Sequence, residues 1–307
     1  MSNDTPHTDC EPSMCESCNV ADCPSAGNTH HAENNHNAQA ADPHADEHKL
    51  YARMSRVGRK IVVLSGKGGV GKSTVAVNIA TALHLAGKSV GILDVDIHGP
   101  SIPTMLGVEQ ERVHKGEEGI LPVDADGIKV MSLGFLLNSM DDAAIWRGPM
   151  KMSVIKQFLA DVEWDGLDFL VIDSPPGTGA EPLSVCQLLS PFSPGLDGAV
   201  VVTTPQRVAA IDVRKSVNFC KQMSVPVIGI VENMSGFVCP GCGEVTQVFR
   251  SGGGQRIAES MEVPFLGSIP IDPKIVEAGD GGQPFVQHFA DTATAVAMRK
   301  IIEPLLK

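Results

Sequence analysis

Gly66-Lys67-Gly68-Gly69-Val70-Gly71-Lys72-Ser73 decides how this chain reads, and its flanks give it meaning. Before it runs Ile61-Val62-Val63-Leu64, a continuous apolar stretch of the kind that forms a strand covered on both faces. After it, Ser73 to Ala86 has helical periodicity and stops at Gly87, a suitable C-cap. The segment fits the pattern G-x-x-x-x-G-K-[ST] between a buried strand and a helix start, which is the context the chemistry needs. Its glycines let backbone N–H groups turn inward around phosphate oxygens. The helix N-terminus adds the positive end of its dipole. Lys72 is then expected at the β- and γ-phosphates, and the Ser73 hydroxyl at Mg²⁺.

Outward from that loop, strands and helices keep alternating. Val90–Leu93, Phe169–Ile172, Ala199–Val202, Val227–Val231 and Phe265–Leu266 read as further strands. Met150–Leu159 and Thr292–Leu306 read as helices, and Ile120–Leu133 as a hairpin turning near Asp126-Gly127. This order predicts an α/β fold, a P-loop NTPase with a mostly parallel sheet and helices on both faces. Two carboxylate sites follow strands. Asp94-Val95-Asp96 follows the second, where a carboxylate can orient an attacking water. Asp173 follows Phe169-Leu170-Val171-Ile172 and is expected to hold Mg²⁺ directly or through water.

The chain divides by composition. Of a net charge of −12, residues 1–50 carry −8 and residues 51–307 only −4. Residues 1–50 hold few apolar groups beyond alanine and cannot offset the entropy of ordering, so they read as an acidic, Cys/His-rich tail, disordered unless a metal organises it. Residues 51–307 read as the ATPase domain. Neither part offers the basic surface that nucleic acid or an anionic membrane attracts, so neither is expected as a partner. Met1-Ser2-Asn3-Asp4 opens no secretory signal and no run reaches the length of a membrane span, so a cytoplasmic location is expected. Eight cysteines in that setting read as thiols or metal ligands.

Cys239-Pro240-Gly241-Cys242 is read as a short irregular segment carrying half of a tetrahedral site. The folded part holds no second C-x-x-C, and Cys186 and Cys220 sit on apolar-patterned helical stretches as buried structural thiols. A two-fold dimer brings the same patch together from two copies, and two plus two cysteines complete a bridging [4Fe–4S] site. A zinc knuckle completed by other ligands and a redox dithiol are the alternatives. In the tail, Cys10, Cys15, Cys18 and Cys23 offer four thiols, enough for a second [4Fe–4S] centre or for zinc.

Lys67-Gly68-Gly69-Val70-Gly71-Lys72-Ser73 resembles the deviant phosphate loop of the ATPases that include the nitrogenase iron protein and the Min and Par positioning proteins. That resemblance implies a homodimer in which Lys67 reaches the nucleotide of the facing subunit. It also implies that Asp96 orients the attacking water, so that Lys67, Lys72, Asp96 and Asp173 form the catalytic set. Pro175 to Gly179 then serves as the second switch.

The chain from about Lys60 onward is further similar to the Mrp family of ATP-binding iron–sulfur cluster carriers. The similarity rests on Gly66–Ser73, Asp94–Ser101, Trp146–Met150, Asp173–Gly179, Thr203–Gln206, Asn233-Met234-Ser235 with Cys239 and Cys242, and Gly267–Asp272. It implies ATP held by Gly66, Lys67, Gly68, Gly69, Val70, Gly71, Lys72, Ser73 and Thr74. Asn233 is implied at the adenine, with Pro270 and Asp272 nearby. Ala180-Glu181 departs from the usual aspartate after Gly-Thr-Gly, and Arg250 from a common glycine. The implied activity is ATP-dependent assembly of a cluster from iron and sulfide donors and its transfer to apo-proteins. A positioning ATPase and an electron-transfer reductase are the rival readings. The first calls for a basic surface or an amphipathic terminal helix, and the second for two widely separated ligand cysteines.

Overall fold

The computed structural model describes residues 45–96, 99–136, 148–189, 196–206, 209–239, 241–242, 244–249 and 251–306. Its strands are β1 (Arg59–Ser65), β2 (Val90–Asp94), β3 (His114–Lys115), β4 (Ile120–Leu121), β5 (Val123–Ala125), β6 (Ile128–Ser132), β7 (Phe169–Asp173), β8 (Gly198–Thr203), β9 (Val227–Glu232), β10 (Phe237–Val238), β11 (Val245–Thr246) and β12 (Phe265–Ser268). Its helices are α1 (Ala45–Ser55), α2 (Lys72–Leu85), α3 (Ile102–Met105), α4 (Gly148–Asp161), α5 (Ala180–Leu189), α6 (Ala209–Gln222), α7 (Gly253–Met261), α8 (Pro273–Asp280), α9 (Phe285–His288) and α10 (Ala293–Ile302).

Eight strands form the central sheet in the order β12-β9-β8-β1-β7-β2-β6-β5. Every neighbouring pair is parallel except β5 with β6, which closes one edge as an antiparallel hairpin. The central strands β2, β7 and β8 are buried along their whole length, because helices cover the sheet on both faces. Helix α2 is apolar nearly all round, since it lies between the sheet and helices α9 and α10. The predicted architecture is the one found.

The edge hairpin turns where expected. Asp126 (φ 50°) and Gly127 (φ 87°) supply the two left-handed residues that a tight hairpin turn needs. Ile120-Leu121 does not belong to it; that pair forms β4, which pairs with β3 in a separate ribbon.

Two expectations are corrected. The compositional boundary at residue 50 falls inside α1, and the whole of that helix belongs to the same compact unit as the sheet. Asp46, Glu47 and Lys49 continue the polar composition of the tail. On the other side of the same helix, Leu50 and Met54 are buried as α1 packs on α4, and Lys49 pairs with Asp161 at 2.6 Å. Past the helix end the chain turns over a buried ammonium: Lys60 Nζ donates to the carbonyls of Val57 (3.1 Å) and Gly58 (3.2 Å), satisfying oxygens of the turn between α1 and β1. Burial pushes the Lys60 pKa down.

The second correction concerns the cysteine pair. The segment is not irregular: β10 and β11 pair antiparallel around it, Phe237 with Thr246 and Val238 with Val245. Cys239 and Cys242 therefore lie at the tip of a hairpin. Gly236 (φ 83°) starts it, where a Cβ would come within 2.9 Å of Val245 Cγ1.

Candidate functional site

The loop from β1 to α2 carries two left-handed glycines, Gly69 (φ 75°) and Gly71 (φ 80°), so its turns need the residues the sequence supplies. It lines a cleft of about 220 Å³ together with Asp96, Ser101 and Pro176. At its base three side chains form one hydrogen-bonded group. Lys72 Nζ lies 2.5 Å from Asp173 Oδ1, Ser73 Oγ donates to Asp173 Oδ2 at 2.6 Å, and Lys72 Nζ reaches Ser73 Oγ at 3.2 Å. Burial pushes the Asp173 carboxyl up, and the Lys72 ammonium and Ser73 hydroxyl oppose it. Ser73 and Asp173 together are an all-oxygen donor pair of the hard kind that Mg²⁺ takes.

Asp94 ends β2 in register with Asp173 on β7. Its carboxyl accepts from Asp96 N–H (3.0 Å), from Ser132 Oγ (3.1 Å) and from Ile102 N–H (3.4 Å), which ties down both ends of the loop bearing Asp96. Burial, then the neighbouring Asp173, pushes Asp94 up to about 8. Ser132, which the sequence did not single out, supports this arrangement from β6.

Lys67 takes a different direction from Lys72. Its Nζ lies 3.3 Å from Gln206 Oε1, on the loop after β8. Gly66 packs so closely on α6 that a Cβ would meet Asp212 at 2.5 Å. Thr74 is half-buried in the first turn of α2, and its carbonyl accepts from Asn78.

Asn233 lies behind the loop. Its Nδ2 donates to Val70 O at 2.8 Å, and a Cβ on Gly71 would come within 2.2 Å of that nitrogen. Pro270 is half-buried, on a segment that pairs with the chain just after Asn233: Ser235 N–H donates to Ile269 O, and Ile271 N–H to Gly236 O. Asp272 caps α8, accepting from Lys274 N–H and from Thr294 Oγ1. The structure thus brings Asn233 to the phosphate loop and Asp272 to a helix start.

Cys242 is exposed and Cys239 half-buried. The N–H groups of Cys242 and Gly241 aim at the Cys239 sulfur and draw its pKa down. Cys186 and Cys220 behave oppositely: burial pushes them up to about 11 and about 12, as structural thiols. Among the described residues no group of three or more Cys, His, Asp or Glu side chains could hold a metal. Cys10, Cys15, Cys18 and Cys23 lie outside the described residues, as do Ile97, His98, Trp146 and Arg250.

Sequence reasoning missed Glu232. It ends β9 wholly buried, and Ser235 Oγ, Gly252 N–H and Gly254 N–H all donate to it. An acid closing an apolar strand was the available signal, but its partners Gly252 and Gly254 lie beyond the cysteine hairpin.

The family model described as NUBPL iron-transfer P-loop NTPase, of the ParA group, matches residues 56–306. The chain is 51% identical over 260 residues to the iron-sulfur cluster carrier protein of Methanocaldococcus jannaschii, covering 84% of this chain and 88% of that one. It is 51% identical over 249 residues to the Trichoplax adhaerens homolog of the cytosolic Fe-S cluster assembly factor NUBP2, covering 80% and 93%. Among solved structures, the nucleotide-binding protein of Archaeoglobus fulgidus in complex with ADP superposes with a TM-score of 0.69 at 41% identity, over 78% of this chain and 92% of that one. The septum site-determining protein MinD of Pyrococcus horikoshii, at 24% identity and a TM-score of 0.60 over 81% and 96%, shares the fold.

Proposed function

The chain belongs to the NUBPL iron-transfer P-loop NTPase family, and from that premise we propose that it is an ATP-dependent iron–sulfur cluster carrier. Its cargo is a [4Fe–4S] cluster held between two copies of the chain by Cys239 and Cys242 of each, received from iron and sulfide donors and passed to apo-proteins. The observation that carries this reading is the hairpin tip. It presents two thiols, one drawn toward thiolate by backbone N–H groups, and among the described residues no further ligand completes the site. A symmetric partner supplies the missing pair. The names of the relatives favour a cluster over zinc, and they favour the cytoplasm as the place of work.

The phosphate loop serves as the ATPase. Lys72 neutralises charge that builds on the β- and γ-phosphoryl oxygens. Ser73 and Asp173 would hold Mg²⁺, which would supply positive charge against the phosphate oxygens. Asp96, held through Asp94, orients the attacking water. Lys67 reaches across to the partner's nucleotide, and Asn233, with Pro270 and Asp272 nearby, borders the adenine. The tail cysteines Cys10, Cys15, Cys18 and Cys23 hold a second cluster or zinc.

Anaerobic iron and sulfide analysis of the native chain and of Cys239→Ala/Cys242→Ala tests the reading. Loss of one four-iron cluster per dimer, with nucleotide binding kept, is expected. Unchanged iron in the double variant would refute it.

A further inference from the structure

We infer that Glu232 is the positioning residue of the cysteine hairpin: its buried carboxylate clasps the outgoing and returning ends of the excursion that carries Cys239 and Cys242. The inference rests on the cluster-binding reading of those two cysteines.

The chain leaves the sheet at the end of β9 and comes back at α7. Glu232 stands at that junction, in register with Thr203 on β8 and Ser268 on β12, so its backbone is fixed from both sides. Its side chain then makes three bonds. Ser235 Oγ, on the way out, donates to Oε1 at 2.6 Å. Gly252 N–H, on the way back, donates to the same oxygen at 2.9 Å. Gly254 N–H, in the first turn of α7, donates to Oε2. Glycine suits both returning residues, one for space and one for backbone conformation. A Cβ on Gly254 would lie 3.0 Å from Glu232 Cβ, and Gly252 has φ 74°.

The carboxylate is wholly buried, and its three bonds come from N–H and O–H donors; among the described residues no cation pairs with it. A buried charge so placed is costly unless each donor stays in position, so it enforces one geometry. That geometry sets where the hairpin stands. From the clasp, Gly236 turns the chain into β10, Val238 N–H donates to Ile271 O, and Cys239 N–H donates to Glu244 O across the tip. The next residue, Asn233, holds the phosphate loop at Val70. Glu232 therefore acts on the cysteines and leaves that contact to its neighbour.

Glu232→Gln keeps the shape but turns one acceptor into an N–H₂ that faces donors. The full chain, reconstituted anaerobically, should release its iron to a chelator about 10-fold faster in Glu232→Gln, as expected when a residue that supports a metal site through another is changed. Its ATP hydrolysis rate should stay near native. Ser235→Ala, which removes one bond and fills no space, should fall between the two. Hydrogen exchange gives a readout without any cluster: peptides covering 236–254 should lose protection in Glu232→Gln while those covering 64–78 do not. Iron release and exchange at native rates in the folded variants would overturn the inference, as would equal loss of protection in the phosphate loop. Absence of any bound cluster in the native chain would instead defeat the carrier reading, and the exchange result would still decide the clasp.

Discussion

Asp94 and Asp173 stand side by side at the ends of neighbouring parallel strands, both buried, with the Lys72 ammonium on Asp173. Two carboxyls so placed do not ionise independently in a low dielectric. The one without the lysine contact carries the proton near neutrality: Asp94 is pushed up to about 8 from an ordinary 3.8.

That shift makes stability depend on pH. The folded chain keeps a proton on Asp94 that the unfolded chain releases above its ordinary pKa. The contribution is whole below that value and is lost as pH rises through about 8. Without nucleotide or Mg²⁺, the urea midpoint should fall as pH is raised from about 5 to about 8.5. Asp94→Asn, which imitates the protonated carboxyl, should flatten the slope. Parallel slopes in the two proteins would assign the fall to other groups.

The phosphate loop was legible because its chemistry is written in backbone terms. Glycines at 69 and 71 are there for positive φ, and the flanking apolar run needs covering on both faces. The start of α1 was not legible, since Asp46, Glu47 and Lys49 share the composition of the tail and only Leu50 and Met54 mark the buried side. The cysteine hairpin was hidden for another reason. Each of its strands has two residues, too few for periodicity, and its base is fixed by Ile271 and Gly252, both distant in sequence.

Lys60 offers a test of packing apart from function. Its ammonium serves the carbonyls of Val57 and Gly58, and burial already weakens its charged form. Lys60→Met relieves the buried charge but leaves those oxygens without a donor. The net loss should be about 1–3 kcal/mol, since a buried acceptor left unmade costs that much. Urea unfolding should register it, with hydrolysis unchanged at a temperature where the variant is folded. An unaltered midpoint would mean that water serves the carbonyls equally well.

Thiol chemistry should separate the cysteines by environment. Cys239 is drawn toward thiolate, whereas burial holds Cys186 and Cys220 at about 11 and about 12. Since only the thiolate reacts, iodoacetamide near neutral pH should label Cys239 more than about 100-fold faster than either buried thiol. Peptide mass spectrometry of the cluster-free chain resolves the sites. Labelling of Cys186 or Cys220 at a comparable rate in the native protein would show that α5 and α6 open.

The two lysines of the phosphate loop should fail in different ways. Lys72 Nζ sits on Asp173 at the base of the cleft, whereas Lys67 Nζ points to Gln206, 3.3 Å away. Lys72→Ala should lose nucleotide affinity and hydrolysis together. Lys67→Ala should bind ADP normally and hydrolyse ATP about 10²- to 10³-fold more slowly, the usual cost of one electrostatic contact to the transition state. If Lys67 acts on the partner's nucleotide, the two inactive variants complement each other. In a mixed dimer, the Lys72→Ala copy still carries Lys67 and can complete the site of the Lys67→Ala copy, whose own Lys72 is intact. Hydrolysis should therefore reappear when the two are mixed and allowed to exchange subunits. A mixture that exchanges but stays inactive would confine Lys67 to its own subunit.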